Sequence, residues 1–457
     1  MCRKRLLRIV FAAIVVVFVT ASVMPSSAAT AASVPASTHY TGTLPDGAIW
    51  VADVPASWNG TIILYSHGFG PLTAADAPNA TTQGDLLSLG YALVGSSYSG
   101  PSWWALASAA DDQFASLAAL EQITGKPRRT IAWGTSMGGL VSAIETQDAR
   151  GRIDGTLTTC GLVGGALNLN EYQLQGEYAI DELLTPSQQV QLVDYASADQ
   201  ASAAAAALAA VAGEAQSTAA GRARIALAAA LLNEPTWYSG SAPPSPTDYA
   251  AQEQQQDNEI SNYVLPFIIS ARYWIEVAAG GNSSFTKGVD YAQELAHSSF
   301  LPEVRALYRS AGLSLSGDLN TLTRNADITA DPKAIATLAQ TSMVTGHLSV
   351  PELDIHTIYD QLVPVEQENW YRQRVIEASS EPLFRQAFVE ATGHCNFQPA
   401  GYIAALNALQ YRLNTGHWGN KTEPGALNAA AAASGFGSFD PYVRFRPPPL
   451  VNSLFPR

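Results

Sequence analysis

Over residues 48–160 the apolar positions fall into short continuous runs that alternate with helical spacing. Residues 48–54 form an extended run stopped by Pro55, and 61–66 (Thr-Ile-Ile-Leu-Tyr-Ser) are apolar without alternation, as a strand buried on both faces must be. Residues 55–60 read as a hairpin-like link between these two runs. Further strands are expected at 91–97, 130–134 and 153–160, and helices at 82–89, 109–123 and directly after residue 136. Strand alternating with helix predicts an α/β fold with a mainly parallel sheet.

The pattern changes over residues 161–348. Ala-rich helical stretches at 201–212 and 221–232 carry an apolar face of Leu208, Val211, Ile225, Leu227 and Leu231, and long helical segments follow at 263–279 and 291–311. With no strand-rich stretch, the region reads as a helical cap inserted between two sheet strands. Sheet character resumes at 351–359, followed by a helix at 366–377, a strand at 384–390 and an amphipathic helix at 399–413. The expected organisation is therefore a core of 40–160 and 349–414, a cap of 161–348, and a Gly/Pro-rich tail of 415–457 that wraps the surface.

Composition narrows the class. Of 457 residues, 47% are hydrophobic and 14% charged, which suits a large packed core and excludes a disordered chain. The formal charge of −14 opposes binding to nucleic acid or anionic lipid, and no basic patch offsets it. Residues 1–31 read as a secretory signal: Arg3, Lys4, Arg5 and Arg8 precede an apolar core at 9–19 and a small-residue tract at 26–32. That core is shorter than the roughly 20 residues of a membrane span, so an extracellular protein with no stable membrane anchor is expected. Loss of the four cations with the leader would leave about −18.

The candidate chemistry centres on Gly134-Thr135-Ser136-Met137-Gly138-Gly139. A β-rich run enters this Gly-x-Ser-x-Gly turn and a helical pattern leaves it, as a nucleophile elbow requires. Ser136 would stand at the sheet's carboxyl edge, with the Met137 N–H aimed at a developing oxyanion. Asp360 and His394 each follow a predicted strand, in loops at the same edge. In the order Ser…Asp…His, His394 is the candidate base and Asp360 its orienting acid. Among the other acids, Asp354 lies within the strand, and Glu366 and Glu368 on the helix that follows. His356 falls within the same strand and reads as a core residue or one in the layer behind the site. The His67-Gly68-Phe69-Gly70 loop is a source of the second oxyanion donor, from Gly68 or Phe69, with His67 structural.

Five runs carry a family resemblance: Leu44-Pro45-Asp46-Gly47, residues 54–60 (Val-Pro-Ala-Ser-Trp-Asn-Gly), residues 221–228 (Gly-Arg-Ala-Arg-Ile-Ala-Leu-Ala), Thr392-Gly393-His394-Cys395-Asn396-Phe397, and residues 410–418 (Gln-Tyr-Arg-Leu-Asn-Thr-Gly-His-Trp). Together they resemble the phthalyl amidase-like branch of the α/β-hydrolases, and the similarity spans most of the chain after residue 40. The resemblance implies an α/β-hydrolase fold and serine-hydrolase chemistry on a small-molecule ester or amide, through an acyl-enzyme. Of other readings, a secreted peptidase ranks below this one. A non-catalytic binding protein on the same scaffold is opposed by the intact elbow, acid and His. A metal-dependent hydrolase lacks the ligand spacing, and no dinucleotide or phosphate-loop motif appears, so no cofactor and no metal are expected. Oligomeric state is left open. Trp237, Tyr238 and Trp274 of the cap are candidate substrate-pocket residues, the alternative being ordinary cap core. Cys160 and Cys395 would both lie at the carboxyl edge of such a sheet and are expected to pair in an oxidising compartment, the alternative being two buried thiols.

Overall fold

The computed structural model describes residues 36–185, 189–238 and 240–453; the expected leader, residues 1–31, lies outside them. Among the described residues, nine strands form one sheet in the order β1-β2-β4-β3-β5-β6-β7-β8-β9. They are β1 (Ser37–Thr43), β2 (Ile49–Pro55), β3 (Thr61–Ser66), β4 (Ala92–Ser96), β5 (Arg129–Thr135), β6 (Gly155–Thr159), β7 (Glu352–Tyr359), β8 (Phe384–Thr392) and β9 (Tyr442–Val443). The pairs from β4 through β3, β5, β6 and β7 to β8 are parallel, and β2 and β9 join antiparallel at the flanks. This is an α/β-hydrolase sheet.

The hairpin lies elsewhere than expected. β1 pairs antiparallel with β2 through a turn closed by the Gly47 N–H on the Leu44 carbonyl (3.0 Å), whereas β2 and β3 are separated by β4. The physical reason is burial: every residue of β3 is buried, so it takes a central place with a parallel neighbour on each side. β2 exposes part of its length and serves nearer the edge. The residue 55–60 link therefore crosses over β4.

Alternation along β3 divides the core. Ile63 and Tyr65 face α1 (Ala80–Ser88), α14 (Pro399–Thr415) and α15 (Pro424–Ala433), while Ile62 and Leu64 face α2 (Leu106–Thr124). Each such side chain is worth about 1.5–3 kcal/mol on burial, so this layer fixes the strand register firmly. The elbow helix α3 (Met137–Gln147) and α13 (Glu366–Glu377) pack into the cluster that continues under the cap.

Among the described residues, nine α-helices run between β6 and β7: α4 (Gly165–Leu184), α5 (Ala198–Ala215), α6 (Ala219–Leu232), α7 (Tyr249–Glu259), α8 (Leu265–Ala279), α9 (Tyr291–His297), α10 (Leu301–Ala311), α11 (Leu315–Asn325) and α12 (Pro332–Thr341). α4 is almost wholly buried although it carries Asn168, Asn170, Glu171, Gln173, Gln175 and Glu177. Several of these polar groups pair with other helices and loops of the cap, among them Glu177 with the buried Arg272 of α8 at 3.1 Å and Asn170 Nδ2 with Ser283 Oγ at 2.9 Å. Of the two expected long helices, 263–279 is present as α8, while 291–311 is broken into α9 and α10. A π-helical turn (Ile260–Val264) joins α7 to α8, whose first turn holds Pro266, and Pro302 opens α10 after α9 has ended. The tail does more than wrap: β9 extends the sheet, Tyr442 is buried, and the Val451 N–H donates to Asn233 at the end of α6 (3.0 Å).

Candidate active site

β5 delivers the chain into a turn where Ser136 adopts φ 60°, ψ −124°, and α3 begins at the next residue. A non-glycine residue at such φ is strained and persists only where its surroundings dictate it. The neighbouring glycines make the turn possible. A Cβ on Gly134 would run into the Gly138 carbonyl, and one on Gly138 into the Ser66 carbonyl at the end of β3. Two bonds brace Ser136 from β6 and beyond: its N–H donates to the Thr159 carbonyl (3.1 Å), and its carbonyl accepts from Leu162 (3.3 Å).

His394 and Asp360 arrive from the ends of β8 and β7. His394 Nε2 lies 2.8 Å from Ser136 Oγ, and His394 Nδ1 lies 2.8 Å from Asp360 Oδ2. Asp360 Oδ1 accepts from the N–H groups of Leu362 (3.0 Å) and Val363 (2.9 Å). Burial would push the Asp360 carboxyl up. The imidazoles of His394 and His356, with the Val363 N–H, outweigh it and hold the group below its ordinary value. Asp360 therefore stays an anion facing His394.

The other acids weighed from the sequence sit behind this line. His356 is buried, with Nε2 2.8 Å from the Val363 carbonyl and 3.8 Å from Asp360 Oδ2, and Nδ1 2.9 Å from Glu368. Asp354 accepts from Thr158 Oγ1 (2.6 Å), and Gln386 links it to Glu368. Burial drives Asp354 well up and Glu368 and Glu366 to about 7. The place of His356 behind the site agrees with one of its two sequence readings, but spacing alone did not show that it would join Asp360 to buried carboxyls such as Glu368. The i, i+4 relation between a strand residue and the following loop carries that signal only once β7 is seen to end at Tyr359.

The residues expected to hold an oxyanion also lie beside Ser136. Met137 is the first residue of α3, so its N–H has no acceptor within the helix. Gly68 lies against Ser136: a Cβ there would stand 3.3 Å from the Ser136 Cβ. His67 shapes this loop. Its ring stacks on Tyr98 (4.1 Å), Nδ1 lies 2.8 Å from the Gly68 carbonyl, and the Tyr98 hydroxyl donates to the His67 carbonyl (3.0 Å). Burial lowers the His67 pKa, which keeps that imidazole neutral and structural.

Phe69 enters an aromatic group that sequence reasoning only partly found. Its ring lies 5.9 Å from Trp103, 6.4 Å from Trp104 and 5.9 Å from Phe267 of α8, and Trp103 stacks on Trp274 at 4.6 Å. Trp274 thus reaches Phe69 and its loop through Trp103. Tyr263 of the π turn stacks near Phe267, and both are exposed. Trp237 lies apart from that group, edge-on to Tyr359 (5.1 Å), the residue before Asp360. Tyr238 bonds through its backbone to Gln255 and Ser241, and none of its hydrogen bonds among the described residues reaches Ser136, Asp360 or His394.

Cys160, at the residue after β6, is disulfide-bonded to Cys395 with Cα atoms 5.3 Å apart, and Cys395 Sγ lies 3.4 Å from His394 Nε2. The bond ties the loop bearing His394 to the strand next to the elbow. The same three residues are the one group among those described whose His, Cys, Asp or Glu atoms lie close enough to share a metal ion, and both sulfurs are already committed to the disulfide. No helix among the described residues is long and apolar enough to cross a membrane.

No family model matches the chain. The o-phthalyl amidase of Xanthobacter agilis is 30% identical over 424 residues, spanning 88% of this chain and 92% of that protein. Feruloyl esterase B from Aspergillus oryzae aligns at 12% identity with a TM-score of 0.41, over 83% of this chain and 80% of that one. An esterase from Pyrococcus furiosus aligns at 11% identity with a TM-score of 0.38, over 82% and 91%.

Proposed function

This chain belongs to the o-phthalyl amidase family of α/β-hydrolases and is a hydrolase of ester or amide bonds, and from that premise we propose that it acts through Ser136, His394 and Asp360. The observation that carries the reading is the continuous hydrogen-bonded line from Ser136 Oγ through His394 to Asp360, 2.8 Å at each step. His394 Nε2 takes the proton as Ser136 Oγ attacks the carbonyl carbon, and Asp360 stabilises the imidazolium that forms. The N–H of Met137 and one from Gly68 or Phe69 receive the oxyanion. His394 then gives its proton to the departing alcohol or amine, and water, deprotonated by the same imidazole, releases the acyl group.

The aromatic group of Phe69, Trp103, Trp274 and Phe267 stands on the oxyanion side, where the acyl portion of the substrate lies. An apolar acyl group of modest size fits such a wall better than an extended peptide. A signal of the type at residues 1–31 and the Cys160–Cys395 bond support export to an oxidising compartment.

A panel of p-nitrophenyl esters and anilides of aliphatic, aromatic and dicarboxylic acids tests the reading, together with labelling by a fluorophosphonate. Turnover by the wild type, with label found on the peptide containing Ser136, is the expected result. Label elsewhere, or turnover unaffected by Ser136→Ala, would sink the assignment.

A further inference from the structure

The hydrolytic reading leaves one buried histidine without a part. His356 of β7 is fully buried, yet both of its ring nitrogens meet polar groups on the acid side of the proposed triad. Nε2 lies 2.8 Å from the Val363 carbonyl. A carbonyl only accepts, so Nε2 carries a proton and donates it there. Val363 in turn donates its N–H to Asp360 Oδ1 (2.9 Å), as Leu362 does (3.0 Å). His356 therefore holds the same turn, residues 360–363, whose N–H groups grip the Asp360 carboxyl. The same Nε2 is 3.8 Å from Asp360 Oδ2, the oxygen that faces His394. On the other edge of the ring, Nδ1 lies 2.9 Å from Glu368 Oε1 of α13. Neither of these two atoms has another hydrogen-bond partner among the described residues, so a proton lies in the contact and keeps two lone pairs from meeting. Glu368 Oε2 accepts from Gln386 of β8 (2.5 Å), which ties the partner of the ring to the strand that leads to His394.

We propose that His356 is a positioning residue for the reaction: its Nε2–H fixes the 360–363 turn so that Asp360 stays aimed at His394 Nδ1, and Glu368 locks the ring in that orientation. The inference rests on the triad proposed above and adds to it two side chains that act through Asp360 and touch no reacting atom. Burying two ring nitrogens costs free energy that an apolar side chain of the same size avoids, so packing alone does not account for a histidine here. What the ring supplies is a donor at the Val363 carbonyl, where the neighbouring N–H already serves the carboxyl. A carboxylate that shifts by about 1 Å lets the His394 imidazole turn away from Ser136, and misplacement of that size costs on the order of 10²-fold in rate. The effect falls on kcat, because the substrate is bound by other groups.

Two substitutions that differ in reach test the proposal, with kcat and KM measured on the best substrate of the p-nitrophenyl panel, well below each melting temperature. His356→Gln places an amide N–H close to where the Nε2–H stands, whereas His356→Asn falls short of Val363 while keeping a polar group beside Glu368. His356→Asn should lower kcat by about tenfold or more with KM within about twofold, and His356→Gln should stay within about threefold of the wild type in both. A residue that only fills the core would move the melting temperatures and leave kcat equal in the two folded variants. That equality, or a change confined to KM, would overturn the proposal. Fluorophosphonate labelling of the wild type keeps the two readings apart. Label absent from Ser136 fails the triad and this proposal together, whereas a labelled Ser136 with equal kcat in both variants fails the role of His356 alone. If either variant does not fold, the proton–nitrogen correlation spectrum of the wild-type imidazoles decides: a proton on His356 Nε2 is expected, and a bare Nε2 overturns the assignment.

Discussion

At the scale of single residues, Ser136 is held at a strained φ of 60° by backbone contacts that only glycines on either side permit. That strain presents Oγ to His394, and removing the oxygen leaves the turn intact. Ser136→Ala should therefore lower kcat by roughly 10⁴-fold or more while leaving the melting temperature within a few degrees, and His394→Ala should match it. Steady-state kinetics with thermal melts of the same preparations check both. Asp360→Asn is expected to cost kcat steeply as well, because an amide in place of an acceptor reverses the polarity facing His394 Nδ1. Near-wild-type turnover in any of the three would remove that residue from the mechanism.

At the scale of elements, the loops that follow β6 and β8 are joined by the Cys160–Cys395 bond across 235 residues of sequence. Closing a loop of that length removes unfolded-state entropy worth about 5 kcal/mol. Cys160→Ser should thus lower the melting temperature markedly, and it should also lower kcat more than KM, since the loop it releases carries His394. A variant destabilised but with unchanged kcat below its melting point would limit the bond to a structural role. The cap helices make a separable contribution. Trp274→Ala and Phe267→Ala remove parts of the aromatic wall beside Phe69 and are expected to raise KM for aromatic acyl substrates several-fold with little change for acetyl esters, as truncation of a binding wall does. A uniform change across the substrate panel would place these rings outside the acyl pocket.

At the scale of the whole molecule, buried carboxyls set the response to pH. Burial raises Glu171, Glu303 and Glu352 to about 8, and Glu177, Glu253, Glu366 and Glu368 to about 7. Between the ordinary glutamate value and these raised ones, the folded protein holds protons that the unfolded chain has released. Stability from these groups is therefore complete below the ordinary value and falls as pH rises through 7 to 8. Asp360, held low, acts in the opposite sense, but only in acid below the ordinary aspartate value. The melting temperature should drop by several degrees from about pH 5.5 to about pH 8.5, a change that differential scanning calorimetry reads directly. Glu352→Gln, which keeps a partner for Tyr371, should flatten the slope, and a melting temperature that rose over this interval would contradict the account.

What the sequence determined by itself was whatever local chemistry enforces. An apolar run with no alternation, such as Thr61–Ser66, can only be a strand covered on both faces, and a Gly-Thr-Ser-Met-Gly turn between strand and helix leaves Ser136 one place to stand. The loops after β7 and β8 were legible for the same reason, and with them Asp360 and His394. The 2.8 Å contacts among the three, and the pairing of Cys160 with Cys395 rather than two separate thiols, depended on strands distant in sequence lying side by side. Tertiary packing alone decided that residues 55–60 cross a neighbouring strand, because the hairpin partner of β2 is chosen by which strand most needs a central place. It also decided the cap. α4 is as polar as a surface helix yet buried, since Arg272 and Ser283 reach Glu177 and Asn170 from more than ninety residues away, and no periodicity in the helix announces partners at that distance. Hydrophobic spacing reports which face of an element avoids water; which polar groups meet inside is settled only when the chain has closed around them.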